Sequence, residues 1–365
     1  MIQFFARVVE LREGKIAFAS ESVKYDGKVT TDSPSREFLE VTKHHLHRIQ
    51  IYFRRNTSMI TATKVTKSFS GAGMKEPYVA LKELSCQIPG GCIYGLVGSN
   101  GAGKSTFLRL LSGVYRADSG DITIDGLPIW ENPIAKDKLF YVPDELYFLP
   151  QSTMKKMAHY YKAIYTKFNW ERYYNLTKTF GLDETANLNT FSKGMKRQAA
   201  TILALSTMPD YLFFDETFDG LDPVMRNLVK SVIYNDVLER GTTTIITSHS
   251  LRELEDTCDQ LALLHKGGIV FESDIQNLKT SLFKVQTAFS TPFDQSKFKA
   301  VGIDILSYTQ TGSVCSFIVR GDRAAVEEKI RCMNPLLLDM LPLNLEEVFI
   351  YEMEALGYAF KEILM

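Results

Sequence analysis

Three short stretches of this 365-residue chain carry residue types that handle phosphate. In "GCIYGLVGSNGAGKST" (91–106) the pattern G-x-x-x-x-G-K-S places Gly98, Gly103, Lys104 and Ser105 at the spacing of a phosphate loop. Gly98, Gly101 and Gly103 let the backbone curl around Ser99, Asn100 and Ala102 so that several N–H groups face one anion. A helix opening at Lys104 adds its dipole and the free amides of its first turn, through Ser105 and Thr106. Lys104 is suited to the β- and γ-phosphates, and the Ser105 hydroxyl to Mg²⁺. In "YLFFDETFDGLDP" (211–223) four apolar residues end at Asp215 and Glu216. Asp215 can hold the metal through its water shell, and Glu216 can orient and polarise a water for attack. In "TTIITSHSLRELED" (243–256) a further apolar run ends at His249, within reach of a γ-phosphate. Together these residues predict a nucleoside triphosphate site with hydrolytic machinery.

Such residues need rigid strands behind them. Residues 59–275 alternate short β-branched runs with helical stretches, which predicts an α/β layered domain. Ile93 to Val97 reads as the strand feeding the phosphate loop, and "ITATKVTKSF" after Met59 as the opening strand of the domain. Residues 151–206 read as mostly helical and aromatic-rich ("YYKAIYTKFNWERYY"). Residues 276–365 read as a small α+β domain, with "CSFIVRG" as a strand and "DRAAVEEKIRCM" and "NLEEVFIYEMEALGY" as helices. Residues 1–58 are polar and aperiodic. Arg54 and Arg55 can be encoded AGG-AGG, a bacterial ribosome-binding sequence, and the expectation is that the native chain starts at Met59. The alternative is a genuine, poorly structured extension. His44, His45 and His47 have no Cys or acidic partner at ligand spacing and do not read as a metal site.

Composition narrows the class. A net charge of −1 gives no global pull toward nucleic acid. Five cysteines, with no C-x-x-C, indicate neither a disulfide framework nor a zinc site and suit a reducing cytosol. No apolar run approaches the ~18–20 residues that cross a bilayer, so membrane work would need a separate anchor.

A fourth stretch, "FSKGMKRQ" (191–198), reads either as a plain capped helix or as a second anion site. A hydroxyl and free amides at a helix N-terminus make an anion site, which Ser192 and Gly194 would supply. The order of phosphate loop, Ser-x-Gly turn, strand-Asp-Glu, "GLD" and strand-exit His resembles the ATP-binding cassette family over about residues 64–275. That resemblance implies a P-loop NTPase core of mixed sheet plus helical subdomain, with ATP and Mg²⁺ as ligands. "FSKGM" stands where the family has Leu-Ser-Gly-Gly-Gln, so Phe191, Lys193 and Met195 depart from the commonest form. In the family this segment serves the ATP of the other subunit, which implies a head-to-tail dimer with a second cassette and a poorly active monomer. Phe69 matches the adenine-stacking aromatic, Asp222 the aspartate coupling the two sites, and Asp219 and Thr217 are tolerable departures.

The serious departure is Asp144 in "FYVPDELYF", where the family has a glutamine linking Mg²⁺ and the attacking water to the helical subdomain. Asp144 can face Mg²⁺ but cannot donate an N–H, and Asp215, Glu216 and the phosphates would repel it. Reduced basal turnover is therefore expected, restored several-fold in Asp144→Gln. Three functions compete: ATPase subunit of an exporter driving a separate membrane permease from the cytoplasmic face, cassette ATPase on nucleic acid or ribosomes, and non-hydrolysing ATP sensor. A single cassette, no long heptad insertion and near-neutral charge disfavour the second. Glu216 and His249 disfavour the third. The cargo is not legible.

Overall fold

The computed structural model describes residues 9–12, 15–18, 59–71, 76–275, 277–278, 282–290 and 294–355. The expected start at Met59 and the histidines at 44, 45 and 47 concern residues outside these. Within residues 1–49, β1 (Val9–Arg12) pairs antiparallel with β2 (Lys15–Phe18). The rest forms a second unit, residues 50–365.

At the centre of that unit lies a six-stranded sheet in the order β12-β11-β5-β10-β9-β8. Its strands are β5 (Ile93–Val97), β8 (Leu139–Val142), β9 (Tyr211–Phe214), β10 (Thr243–Ser248), β11 (Gln260–His265) and β12 (Gly268–Asp274). The first five run parallel, and β12 closes one edge antiparallel. Successive side chains on a strand point to opposite faces, and here both faces are buried. Val97, Phe214 and Ile246 join one apolar cluster, whereas Leu96, Phe213 and Ile245 join another. This accounts for the unbroken apolar runs that end at the chemistry-bearing residues.

The second cluster is covered by α1 (Lys104–Leu111) and an antiparallel sheet. That sheet has the order β4-β3-β6-β7, with β3 (Met59–Phe69), β4 (Tyr78–Pro89), β6 (Ser119–Ile124) and β7 (Leu127–Pro128). The Asp125–Gly126 turn, both residues at positive φ, joins β6 to β7. Asp125 then ties this sheet to the central one. It accepts from Lys138 at 2.7 Å, from the Tyr211 hydroxyl and from Met59 N at 3.3 Å.

Helix α2 (Pro133–Asp137), capped by Asn132, precedes β8. The helical region comprises α3 (Met154–Ile164), α4 (Trp170–Phe180) and α5 (Lys193–Ser206). Their starts follow side-chain caps: Thr153, Asn169 and Ser192 each accept from a backbone amide three residues on. Helix α6 (Pro223–Arg240) starts at Asp222 with Pro223 in its first position and stops at Gly241, φ 67°. A short helix α7 (Leu251–Glu255) follows β10.

The C-terminal domain is a complete βαββαβ unit. Strands β13 (Leu282–Ala288), β14 (Asp304–Thr311), β15 (Val314–Arg320) and β16 (Leu337–Pro342) form an antiparallel sheet in the order β14-β15-β13-β16. Helices α8 (Gln295–Ala300) and α9 (Arg323–Arg331) pack on one face around Phe298, Phe317 and Ile330. The last helix, α10 (Leu345–Ala355), places Leu345, Val348 and Phe349 in the same apolar cluster as Leu251 and Leu254 of α7. Arg252 and Glu346 pair at 3.0 Å across that contact. Of the five cysteines, Cys86, Cys92, Cys258 and Cys315 are buried and Cys332 is exposed. Burial pushes the Cys86 thiol up to about 12, with help from Glu272, and pushes Cys258 upward as well.

Candidate nucleotide site

The phosphate loop wraps a pocket of about 230 Å³ walled by Tyr78, Ala80, Ser99, Asn100, Gly101, Gly103, Lys104, Ser105, Thr106, Asp144 and Glu216. Two glycines are obligatory here. A Cβ at Gly98 would sit 2.4 Å from the Leu264 carbonyl oxygen, and Gly103 has φ 112° with the Ala80 carbonyl 2.7 Å from its would-be Cβ. No side chain caps α1, so its first-turn amides stay available to an anion. Lys104 is buried, donates to the Gly98 carbonyl at 2.7 Å and lies 3.3 Å from Glu216 Oε1.

The acidic pair behind the loop is held by neighbours on the adjoining strands. Thr247 donates to Asp215 Oδ1 at 2.7 Å, and Tyr141 donates to Oδ2 at 3.2 Å. Burial and then the Asp215 carboxylate push the Tyr141 hydroxyl up, which keeps it a donor. Glu216 adopts a left-handed backbone, φ 47°, unusual for a residue with a Cβ. Its N–H donates to Thr247 Oγ1 at 3.0 Å, and its Oε2 lies 3.0 Å from His249 Nδ1. Glu216 is 14% exposed and His249 56%, so the histidine meets the carboxylate from the solvent side.

Four expected residues stand elsewhere. Ser192 caps α5 by accepting from Met195 N at 3.2 Å, and among the described residues neither it nor Gly194 walls the pocket of its own chain. Asp222 caps α6 through Val224 N and Met225 N, both at 3.0 Å. Phe69 packs edge-on against Tyr115, with ring centroids 5.4 Å apart. It is Tyr78, its cross-strand partner, that walls the pocket and donates its hydroxyl to the Gly101 carbonyl at 2.9 Å. Asp144 does stand at the pocket, but its Oδ1 accepts from Arg197 at 2.5 Å, so a cation balances the repulsion expected from Asp215 and Glu216. Hydrogen bonding from Lys193 holds the Asp219 carboxyl below its usual range. Tyr78, Tyr141, Thr247 and Arg197 were not singled out in the sequence. Thr247 was the most accessible, as a hydroxyl at the end of an apolar strand beside the strand that carries Asp215.

The model of the ABC transporter family matches residues 81–219. The ABC transporter ATP-binding protein YtrB of Bacillus subtilis is 32% identical over 292 residues, 80% of this chain and 97% of that protein. The chain is a member of the ABC transporter ATP-binding proteins. The linearmycin resistance ATP-binding protein LnrL of the same organism is 34% identical over 58% of this chain and 68% of that protein. The fold matches a dimeric ATP-binding cassette in a post-hydrolysis state bound to ADP and Pi, with TM-score 0.54, 20% identity, and 59% of this chain covering 98% of that one. This cassette therefore binds ATP, and hydrolysis of ATP is its activity. Among the described residues no helix is long and apolar enough to cross a membrane.

Proposed function

We propose that this cassette is the ATP-hydrolysing subunit of an exporter, acting as a head-to-tail dimer with a second cassette and driving a separately encoded membrane permease from the cytoplasmic face. The observation that carries the dimer is the exposed start of α5. Ser192 and Gly194 form an anion-suited helix end outside the pocket of their own chain. A second subunit would bring its own pocket to that end, with Asp222 near the joint. The export direction is supported by relatives named for linearmycin and daunorubicin/doxorubicin resistance. A permease would find exposed apolar side chains at Tyr147, Leu149, Tyr160 and Ile164, beside the Asp144 loop and on α3.

Within the site, Lys104 and the loop amides bind the phosphates, and Tyr78 at the pocket wall, with its cross-strand partner Phe69 beside it, would flank the base. Glu216 accepts the proton of the attacking water while His249 fixes its carboxylate. The donor set fits Mg²⁺, since the Ser105 hydroxyl and the Asp215 carboxylate are hard oxygen ligands and Asp215 retains lone pairs beyond those that Thr247 and Tyr141 occupy. Bound there, the ion would neutralise charge developing on the phosphates. The test is to express the tagged chain in its native host and identify what leaves gently solubilised membranes with it. A polytopic partner is expected. Ribosomes, DNA or an unaccompanied protein would overturn the assignment.

A further inference from the structure

Arg197, in the second turn of α5 and on its buried side, is 1% exposed, and each of its three guanidinium nitrogens has its own acceptor in the site. Nη2 donates to Asp144 Oδ1 at 2.5 Å, Nη1 to the Asp215 carbonyl at 3.2 Å and Nε to the Asp219 carbonyl at 3.2 Å. A lysine would offer a single point charge to this planar set of acceptors.

The second contact bears on chemistry. The Asp215 carbonyl belongs to the peptide whose N–H is that of Glu216, and that N–H donates to Thr247 Oγ1 at 3.0 Å. The peptide plane is thus gripped on both sides, by Arg197 and by Thr247. Its orientation sets the left-handed φ of 47° from which the Glu216 side chain departs. The first contact bears on charge. Asp144 is 46% exposed at the mouth of a pocket that already holds Glu216 and receives polyphosphate. Arg197 supplies its counter-charge from the protein side.

We infer that Arg197 is a positioning residue for hydrolysis: it sets the Glu216 carboxylate and carries the charge of Asp144, so that Asp144 answers to helix α5 rather than to the metal. The inference rests on ATP hydrolysis and not on the permease, so the failure of membrane co-purification would leave it standing.

The test measures steady-state hydrolysis by the full chain and its Arg197→Gln, Asp144→Asn and doubly substituted variants, titrating ATP and Mg²⁺ separately. Arg197→Gln is expected to lower kcat at least tenfold and to leave KM for ATP within about twofold, as misplacement of a carboxylate should. Adding Asp144→Asn is expected to recover several-fold of that loss, because the uncompensated charge is gone. The Mg²⁺ half-saturation of Asp144→Asn alone should match that of the unsubstituted chain. Equal multiplicative losses in the double variant, or a Mg²⁺ requirement raised tenfold by Asp144→Asn, would overturn the inference. If Arg197→Gln does not fold, the Mg²⁺ titration of Asp144→Asn decides alone, since that side chain is half-exposed and its replacement keeps an acceptor oxygen for Arg197.

Discussion

At the scale of single residues, the site works by restricting groups that are individually ordinary. Glu216 is held through its backbone by Thr247 and through its carboxylate by His249 and Lys104. Glu216→Gln removes the proton acceptor and keeps the shape. It is expected to lower kcat by about 10²–10⁴-fold and to leave ATP binding intact, measured as turnover against equilibrium nucleotide titration. Asp125 is a second constrained carboxylate, important for stability. Burial pushes its carboxyl up, but hydrogen bonds from Lys138 and Tyr211 outweigh this and hold it below the usual range. A depressed folded value means that its contribution is complete above the unfolded pKa of about 3.9 and fades as pH falls through the folded value. Asp125→Asn should therefore destabilise the fold by about 1–2 kcal/mol near neutrality. The gap between variant and parent should close in acid, as followed by denaturant unfolding from pH 7 to pH 3.

At the scale of elements, close approach decides more than propensity. A Cβ at Gly194 would lie 2.9 Å from the Gly220 carbonyl oxygen, so the start of α5 sits directly against the turn that follows Asp219. Gly194→Ala is expected to push these two apart, to cost about 1–3 kcal/mol in chemical unfolding and to lower ATPase activity with it. The same contrast explains what could be read in advance. Apolar runs ending at glycine or polar residues located β5, β9 and β10 and the residues at their ends, because buried parallel strands leave that pattern. "CSFIVRG" and its neighbouring helices were equally legible. The rest of the C-terminal sheet was not: β14, "DILSYTQT", is a largely exposed edge strand without clean alternation. The resemblance singles out Phe69 alone, whereas Tyr78, its cross-strand partner, walls the pocket and carries no signal in the sequence. Arg197 and Asp144 are 53 residues apart, and no periodicity announces a pair made across helix and loop.

At the scale of the whole molecule, one apolar cluster joins the cassette to the C-terminal domain. Leu345, Val348 and Phe349 of α10 pack with Leu251 and Leu254 of α7, the helix that follows His249. Each such side chain stabilises by about 1.5–3 kcal/mol. A chain ended at residue 275 would expose their counterparts, and it should aggregate or melt well below the full chain, as a thermal scan with light scattering would show. The intact protein is expected to unfold residues 59–355 in one transition.

The distribution of the cysteines makes the molecule easy to follow. With Cys86, Cys92, Cys258 and Cys315 buried and Cys332 exposed at the end of α9, a maleimide dye should attach once to the native chain and five times after denaturation. No engineered thiol is needed. A single fluorophore per chain, placed on the C-terminal domain, would then report energy transfer between labelled copies and so test the proposed dimer.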